Sequence, residues 1–188
     1  MKPAAPPPAD FSETRIDSEA VFEGRLLKVR RDTVRLPDGN TATREYICHP
    51  GAALILARPD PHTVVLERQF RYPLGRHFIE LPAGKIDAGE APLDTARREL
   101  REECGFTAAS WRHLATLHPC IAYADERIEL FLADGLTAVD SALDDGEFLE
   151  MMTLPLEEAL AWVRAGRITD PKTAFGLFWA EKLLRDGW

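Results

Sequence analysis

Glu99, Glu102 and Glu103 stand at i, i+3 and i+4 within Pro92–Cys104. If that run is helical, three carboxylates share one face. Solvated like charges at that spacing repel by roughly 0.2–0.5 kcal/mol per pair, and by more when partly buried. Hard divalent cations such as Mg²⁺ and Mn²⁺ relieve the repulsion, because they prefer carboxylate oxygens and retain waters for a phosphate substrate. The same spacing also suits a solvated acidic face with Arg97, Arg98 and Arg101 as ion-pair partners. Spacing alone leaves both readings open.

The surrounding string separates them. Gly84, Glu90, Arg98-Glu99-Leu100, Glu102-Glu103 and Gly105-Phe106 match every defined position of the box they resemble, that of the Nudix hydrolases. The resemblance implies an α/β fold, the Nudix α/β/α sandwich with a mixed sheet and an N-terminal β-strand extension. It also implies two or three Mg²⁺ ions (Mn²⁺ as the alternative) and hydrolysis of a nucleoside diphosphate linked to another group. Carried onto these positions, it makes Glu99 and Glu103 the principal metal ligands and Glu102 a further ligand or hydrogen-bond partner. The carbonyl of Ala83 matches a backbone ligand. Arg98 and Glu90 would orient the carboxylates, while Gly84 and Gly105 serve backbone geometry.

Residues outside the box resemble the ADP-ribose pyrophosphatase branch, which forms AMP and ribose 5-phosphate. Arg68-Gln69-Phe70-Arg71-Tyr72-Pro73 and Glu80-Leu81-Pro82-Ala83-Gly84 match the segments before the box. The likeness implies that Arg71 contacts the pyrophosphate and that Glu80 is near the substrate. Asp144-Asp145-Gly146-Glu147 matches a catalytic loop, in which Glu147 aligns best with the general base; Asp145 and a box glutamate are the alternatives, and a solvated acidic turn suits the same run. Branch members look like homodimers with a shared site, where Arg44 reaches substrate from the partner and Phe22 stacks on adenine. Phe22 suits an edge-strand core position equally well. Ile121 and Ala122 stand where the branch carries proline and glycine, which keeps GDP-mannose and dinucleoside polyphosphates as rival substrates. A non-catalytic nucleotide-sensing module is the rival of another class. No role follows for His49, His62 or His118.

Several elements must position these groups. Leu93, Ala96, Leu100 and Cys104 recur at helical spacing over Pro92–Cys104, followed by Gly105 as a C-cap. Short apolar runs at Gly51–Ala57, Thr63–Leu66, Phe78–Leu81, Trp111–Leu117, Ile128–Ala133 and Phe148–Leu154 read as strands. Leu156–Arg167 reads as an amphipathic helix, and Asp170-Pro171 caps and starts a last helix through Leu184. Ala20–Cys48 reads as β-structure around the turn Pro37-Asp38-Gly39-Asn40. The expected organisation is a disordered Pro-rich tail over 1–13, a β extension over 14–50 for dimerisation and substrate contacts, and a Nudix domain over 51–188.

Composition bounds the partners. With 188 residues and a net charge of −8, the chain has enough length for a core and no basic excess for nucleic acid or an anionic membrane. Three cysteines without ligand spacing read as buried free thiols. No apolar run approaches a membrane span, and the start has no secretory pattern. A cytoplasmic setting is expected. Six of the acidic residues (Asp87, Glu90, Asp94, Glu99, Glu102, Glu103) fall inside the box, so part of the negative charge is a candidate cation site.

Overall fold

The computed structural model describes residues 10–141, 143, 146 and 148–188. Its chain forms two compact units, one comprising the residues up to His49 with Cys120–Asp125, the other Pro50–Pro119 with Glu126–Trp188.

In the first unit, β1 (Thr14–Glu23), β2 (Lys28–Arg35) and β3 (Thr41–Cys48) form an antiparallel meander in that order. Asp38 closes the β2–β3 turn by accepting from the Asn40 amide at 2.9 Å, and Gly39 takes φ +88°, the left-handed geometry such turns need. Cys120–Asp125 joins this unit through the backbone: the Ile47 amide donates to the Tyr123 carbonyl at 2.9 Å, and the Asp125 amide returns to Ile47 at 3.2 Å. Only Asp32 and Val34 are buried among the residues of these three strands. Val21 and Leu26, apolar members of the sequence pattern, are exposed, and Leu26 lies in the β1–β2 turn.

The second unit carries the core. Strands β4 (Ala52–Arg58), β5 (Thr63–Arg71), β6 (Arg76–Glu80), β7 (Ala83–Lys85), β8 (Phe106–Leu117), β9 (Ile128–Ala138) and β10 (Leu149–Pro155) make two sheets, ordered β7-β4-β9-β8 and β10-β5-β6. The β4–β9 pair is parallel and its neighbours antiparallel, so the sheet is mixed. Ala52, Leu54 and Leu56 join one core cluster while Ala53, Ile55 and Ala57 join another, because successive side chains point to opposite faces. A strand buried on both faces must be apolar throughout, which is why Gly51–Ala57 has no polar alternation. On one face Ala96, Leu100 and Cys104 of α1 (Pro92–Cys104) fill the core. On the other lie Leu156, Ala159 and Leu160 of α2 (Leu156–Arg164) with Leu177 and Ala180 of α3 (Pro171–Asp186). The result is the α/β/α sandwich.

Helix α1 has the bounds its periodicity predicts and ends at Gly105, φ +66°, whose amide donates to the Arg101 and Leu100 carbonyls. The strands are longer than their apolar runs: β5 continues to Arg71, and β8 starts at Phe106. Backbone pairing with β10, β6 and β9 extends them, and pairing does not require an apolar side chain. Strand β7, absent from the sequence reading, exists because Ala83–Lys85 pairs with Leu54–Ala52. All three cysteines are free thiols, but only Cys104 is buried; Cys48 and Cys120 are half-buried. No described helix is long and apolar enough to cross a membrane.

Packing of α3 on the loop after β6 is tight at Gly176. A Cβ there would lie 2.4 Å from Cδ1 of the fully buried Leu81. Overpacking of about 1–3 kcal/mol outweighs the ~1 kcal/mol helix-propensity gain of alanine. Gly176→Ala should therefore lower Tm by a few degrees, read by thermal melting; a raised Tm would contradict this packing.

Candidate active site

The turn before α1 and its middle turn are tied by one guanidinium. Arg98 donates from Nε and Nη2 to the two oxygens of Glu90, each at 3.1 Å. Its Nη1 donates to Glu99 at 2.7 Å and Glu102 at 3.2 Å, and Nη2 also reaches the Lys85 carbonyl at 3.4 Å. The fork geometry of arginine makes this multiple capture possible; a lysine could not reproduce it. Glu90 also accepts from the Thr95 hydroxyl at 2.7 Å. Arg98, followed by Thr95, holds the Glu90 carboxyl down at about 2. The matching effect on Arg98 is upward, led by Glu90.

The depressed Glu90 pKa has a pH consequence. A carboxyl held below its ordinary value stabilises the fold fully above that value, and the contribution fades as pH falls toward the folded-state pKa. The stability gap between the wild type and Glu90→Gln should be constant above about pH 5 and shrink as pH falls toward about 2. Urea midpoints across that range check it; a gap that widens in acid would contradict the Arg98–Glu90 clasp.

Glu99 lies against the backbone of β7. A Cβ on Gly84 would fall 1.8 Å from Glu99 Oε1 and 1.9 Å from its Cδ; only glycine leaves that space. Glu103, one turn beyond Glu99, is buried. Burial pushes the Cys104 thiol up, and Glu67, Glu103 and Glu99 push it further, so three carboxylates bear on this end of α1. Among the described residues no three histidine, cysteine or acidic side chains converge as ligands of one ion; Glu99 and Glu102 are turned to Arg98. The donor chemistry nevertheless fits a hard divalent cation: carboxylate oxygens on successive turns of one helix, beside a backbone strand with no Cβ in the way.

A second cluster is built by the β5–β6 hairpin and the start of α3. Arg71 Nε and Nη2 fork onto the two oxygens of Glu80 at 2.7 and 2.9 Å. Glu80 is only 3% exposed. Lys172 Nζ also bonds Glu80, and it bonds Asp170 at 2.9 Å. Asp170 caps α3, accepting from the Thr173 amide at 3.0 Å and from its hydroxyl at 2.6 Å, and that hydroxyl receives the Leu81 amide at 2.9 Å. Burial pushes the Glu80 carboxyl up, but Arg71 and Lys172 outweigh it and hold it below the usual range. Arg71, Phe78, Glu80, Thr169, Asp170 and Lys172 line a cleft of about 260 Å³. A larger cleft of about 410 Å³, beside Arg58, Trp111, Arg112 and Trp188, contains none of the predicted site residues.

Glu90, Arg98, Glu99 and Glu102 are thus gathered in one cluster, and Arg71 with Glu80 in another. Ala83 is the first residue of β7. Phe22, 55% exposed on β1, and Arg44, ion-paired to Glu13, belong to the first unit. Glu147 and Asp145 lie outside the described residues. Two participants were missed: Lys172 and Glu67. Glu67 is 1% exposed and directly opposite Glu80 across β5–β6, and it joins Glu80 and Glu103 in raising the Arg71 pKa, to which the Glu80 hydrogen bonds contribute most. A charged residue two positions after Val65, on the same buried strand face, was the available signal for Glu67.

The NUDIX domain model matches residues 48–172, and the nucleoside diphosphate sugar hydrolase N-terminal domain model matches residues 13–47. The chain belongs to the Nudix family. It is 39% identical over 169 residues to the methanol dehydrogenase activator of Bacillus methanolicus and 38% identical over 169 residues to the ADP-ribose pyrophosphatase of Bacillus subtilis (strain 168). Each match covers 89% of this Nudix chain and 91% of the relative. A solved structure titled as an ADP compounds hydrolase superposes with a TM-score of 0.84 at 23% identity, over 96% of this chain and 98% of that one; it shares the Nudix fold found here.

Proposed function

We propose that this Nudix chain is a cytoplasmic, Mg²⁺-dependent pyrophosphatase, with Mn²⁺ as a substitute, that hydrolyses ADP-ribose or a related nucleoside diphosphate sugar. The observation that carries the reading is the pairing of an arginine-organised carboxylate helix with a cleft that presents Arg71 and Lys172. Likeness to the Bacillus subtilis ADP-ribose pyrophosphatase over most of both chains supports it.

In this proposal Glu99 and Glu103, with Glu102 and the Ala83 carbonyl, hold two or three divalent ions. When bound, the ions offset pyrophosphate charge and make water more acidic. Arg98 keeps Glu99 and Glu102 in place, and Arg71 receives phosphate oxygens by charge-assisted hydrogen bonds. Water attacks one phosphorus, the P–O bond of the anhydride breaks, and its proton passes to Glu147 or a box carboxylate; AMP and ribose 5-phosphate leave. The assignment of Glu147 rests on its place in the sequence.

The homodimer belongs to the same proposal. Phe11, Phe22 and Leu26 expose large apolar side chains on a unit whose strands bury two residues, and a second copy would cover them. Arg44 and Phe22 would then serve the partner's substrate. Incubation with ADP-ribose, GDP-mannose and a dinucleoside polyphosphate in Mg²⁺, with products separated by chromatography, tests the substrate. Preferred release of AMP and ribose 5-phosphate is expected; tight binding of ADP-ribose without turnover would favour a sensing module. Sedimentation tests the dimer.

A further inference from the structure

We propose that Lys172 is a positioning residue for the substrate arginine: through Glu80, it holds the Arg71 guanidinium with its free edge toward substrate. This rests on the pyrophosphatase reading above. Arg71 spends Nε and Nη2 on Glu80, a buried carboxylate that needs compensation. Lys172 supplies a second cation to Glu80 from across the chain, 92 residues away.

Lys172 is itself held by Asp170 at 2.9 Å, which caps the first turn of α3 through the Thr173 amide and hydroxyl, so the ammonium is fixed beside Glu80. Glu80 is thereby shared between two cations, and the charges of Arg71, Glu80, Lys172 and Asp170 balance. Nη1 of Arg71 is left outside the fork, on a side chain 41% exposed, whereas that of Lys172 is 17% exposed. This asymmetry divides the roles. Both line the cleft, but Lys172 is committed to Glu80 and Asp170, while Arg71 keeps Nη1 for a ligand. The neighbouring Glu67 and Glu103 also bear on Arg71, so without Lys172 the guanidinium would be drawn toward under-compensated carboxylates and away from an anionic substrate.

The test compares Lys172→Met, which keeps the apolar stem, with Lys172→Arg, which keeps the charge. For Lys172→Met, KM for ADP-ribose should rise by at least about tenfold while kcat changes less than about threefold, the pattern of lost binding shared by ground and transition states. Affinity for α,β-methylene ADP-ribose, measured by calorimetry, should fall in parallel, and Lys172→Arg should restore most of both. Unchanged KM and affinity in Lys172→Met, or no recovery in Lys172→Arg, would overturn the assignment. If Lys172→Met fails to fold, Lys172→Gln carries the same comparison. Absence of ADP-ribose turnover by the wild type would instead end the substrate reading, so the two failures are distinguishable.

Discussion

Glu103→Gln is expected to lower kcat in Mg²⁺ by about a thousandfold or more while leaving the protein folded. A divalent ion supplies several kcal/mol of charge stabilisation in reactions of this class, and each ~1.4 kcal/mol is tenfold in rate. Glutamine keeps the volume of a side chain that is 6% exposed, and removes a carboxylate whose desolvation opposes folding. Stability in the absence of added metal should therefore hold or rise. The paired measurement is decisive: Mg²⁺ should raise the Tm of the wild type but move that of the variant far less, since only a bound ion stabilises. A Glu103→Gln enzyme with wild-type kcat would remove Glu103 from the site.

Gly84→Ala should dissociate activity from stability in a different way. The added Cβ would overlap Glu99 Oε1, Cδ and Cγ at 1.8, 1.9 and 2.3 Å. Gly84 is held by the pairing of β7 with β4, opposite Ala53, so the strand stays and the glutamate rotates. A side chain pushed about 30° off its rotamer costs about 0.5–1.5 kcal/mol, and the 2.7 Å bond from Arg98 is lost with the displacement. Tm should fall by only a few degrees. The effect on metal should exceed the roughly 10–100-fold expected when a supporting residue is changed, because Glu99 itself is displaced. Titration of activity with Mg²⁺ checks this; an unchanged metal requirement would show that Glu99 need not lie against Gly84. Gly176→Ala is the contrast, since there the blocking atom belongs to a fully buried leucine and stability takes the loss.

Helix α1 was legible to its last residue because its information is local. The 3.6-residue apolar rhythm, Pro92 at its start and Gly105 after its end all lie within one stretch. The box residues were legible for the same reason, and their capture by Arg98 involves residues at most eight positions away, the Lys85 carbonyl apart. Strand lengths were less legible. Arg68 and Gln69 look unlike a strand interior, yet their backbones pair with Ile79 and Phe78 on one side and with Glu150 and Leu149 on the other. Ala83-Gly84-Lys85 is too short to show any period, so only its partner β4 makes it a strand.

Sequence by itself determined the family, the α/β layering and the carboxylate helix, because each is written in short-range spacing and residue type. Tertiary structure decided which charges meet. Glu80 is buried between an arginine nine positions before it and a lysine 92 positions after it. Glu67 lies opposite Glu80 only because the β5–β6 hairpin has that register. Cys120–Asp125 joins the first unit through bonds to Ile47 and His49. Coulomb interactions depend on distance and burial rather than sequence separation, so a buried carboxylate finds its compensating cation only when the chain folds.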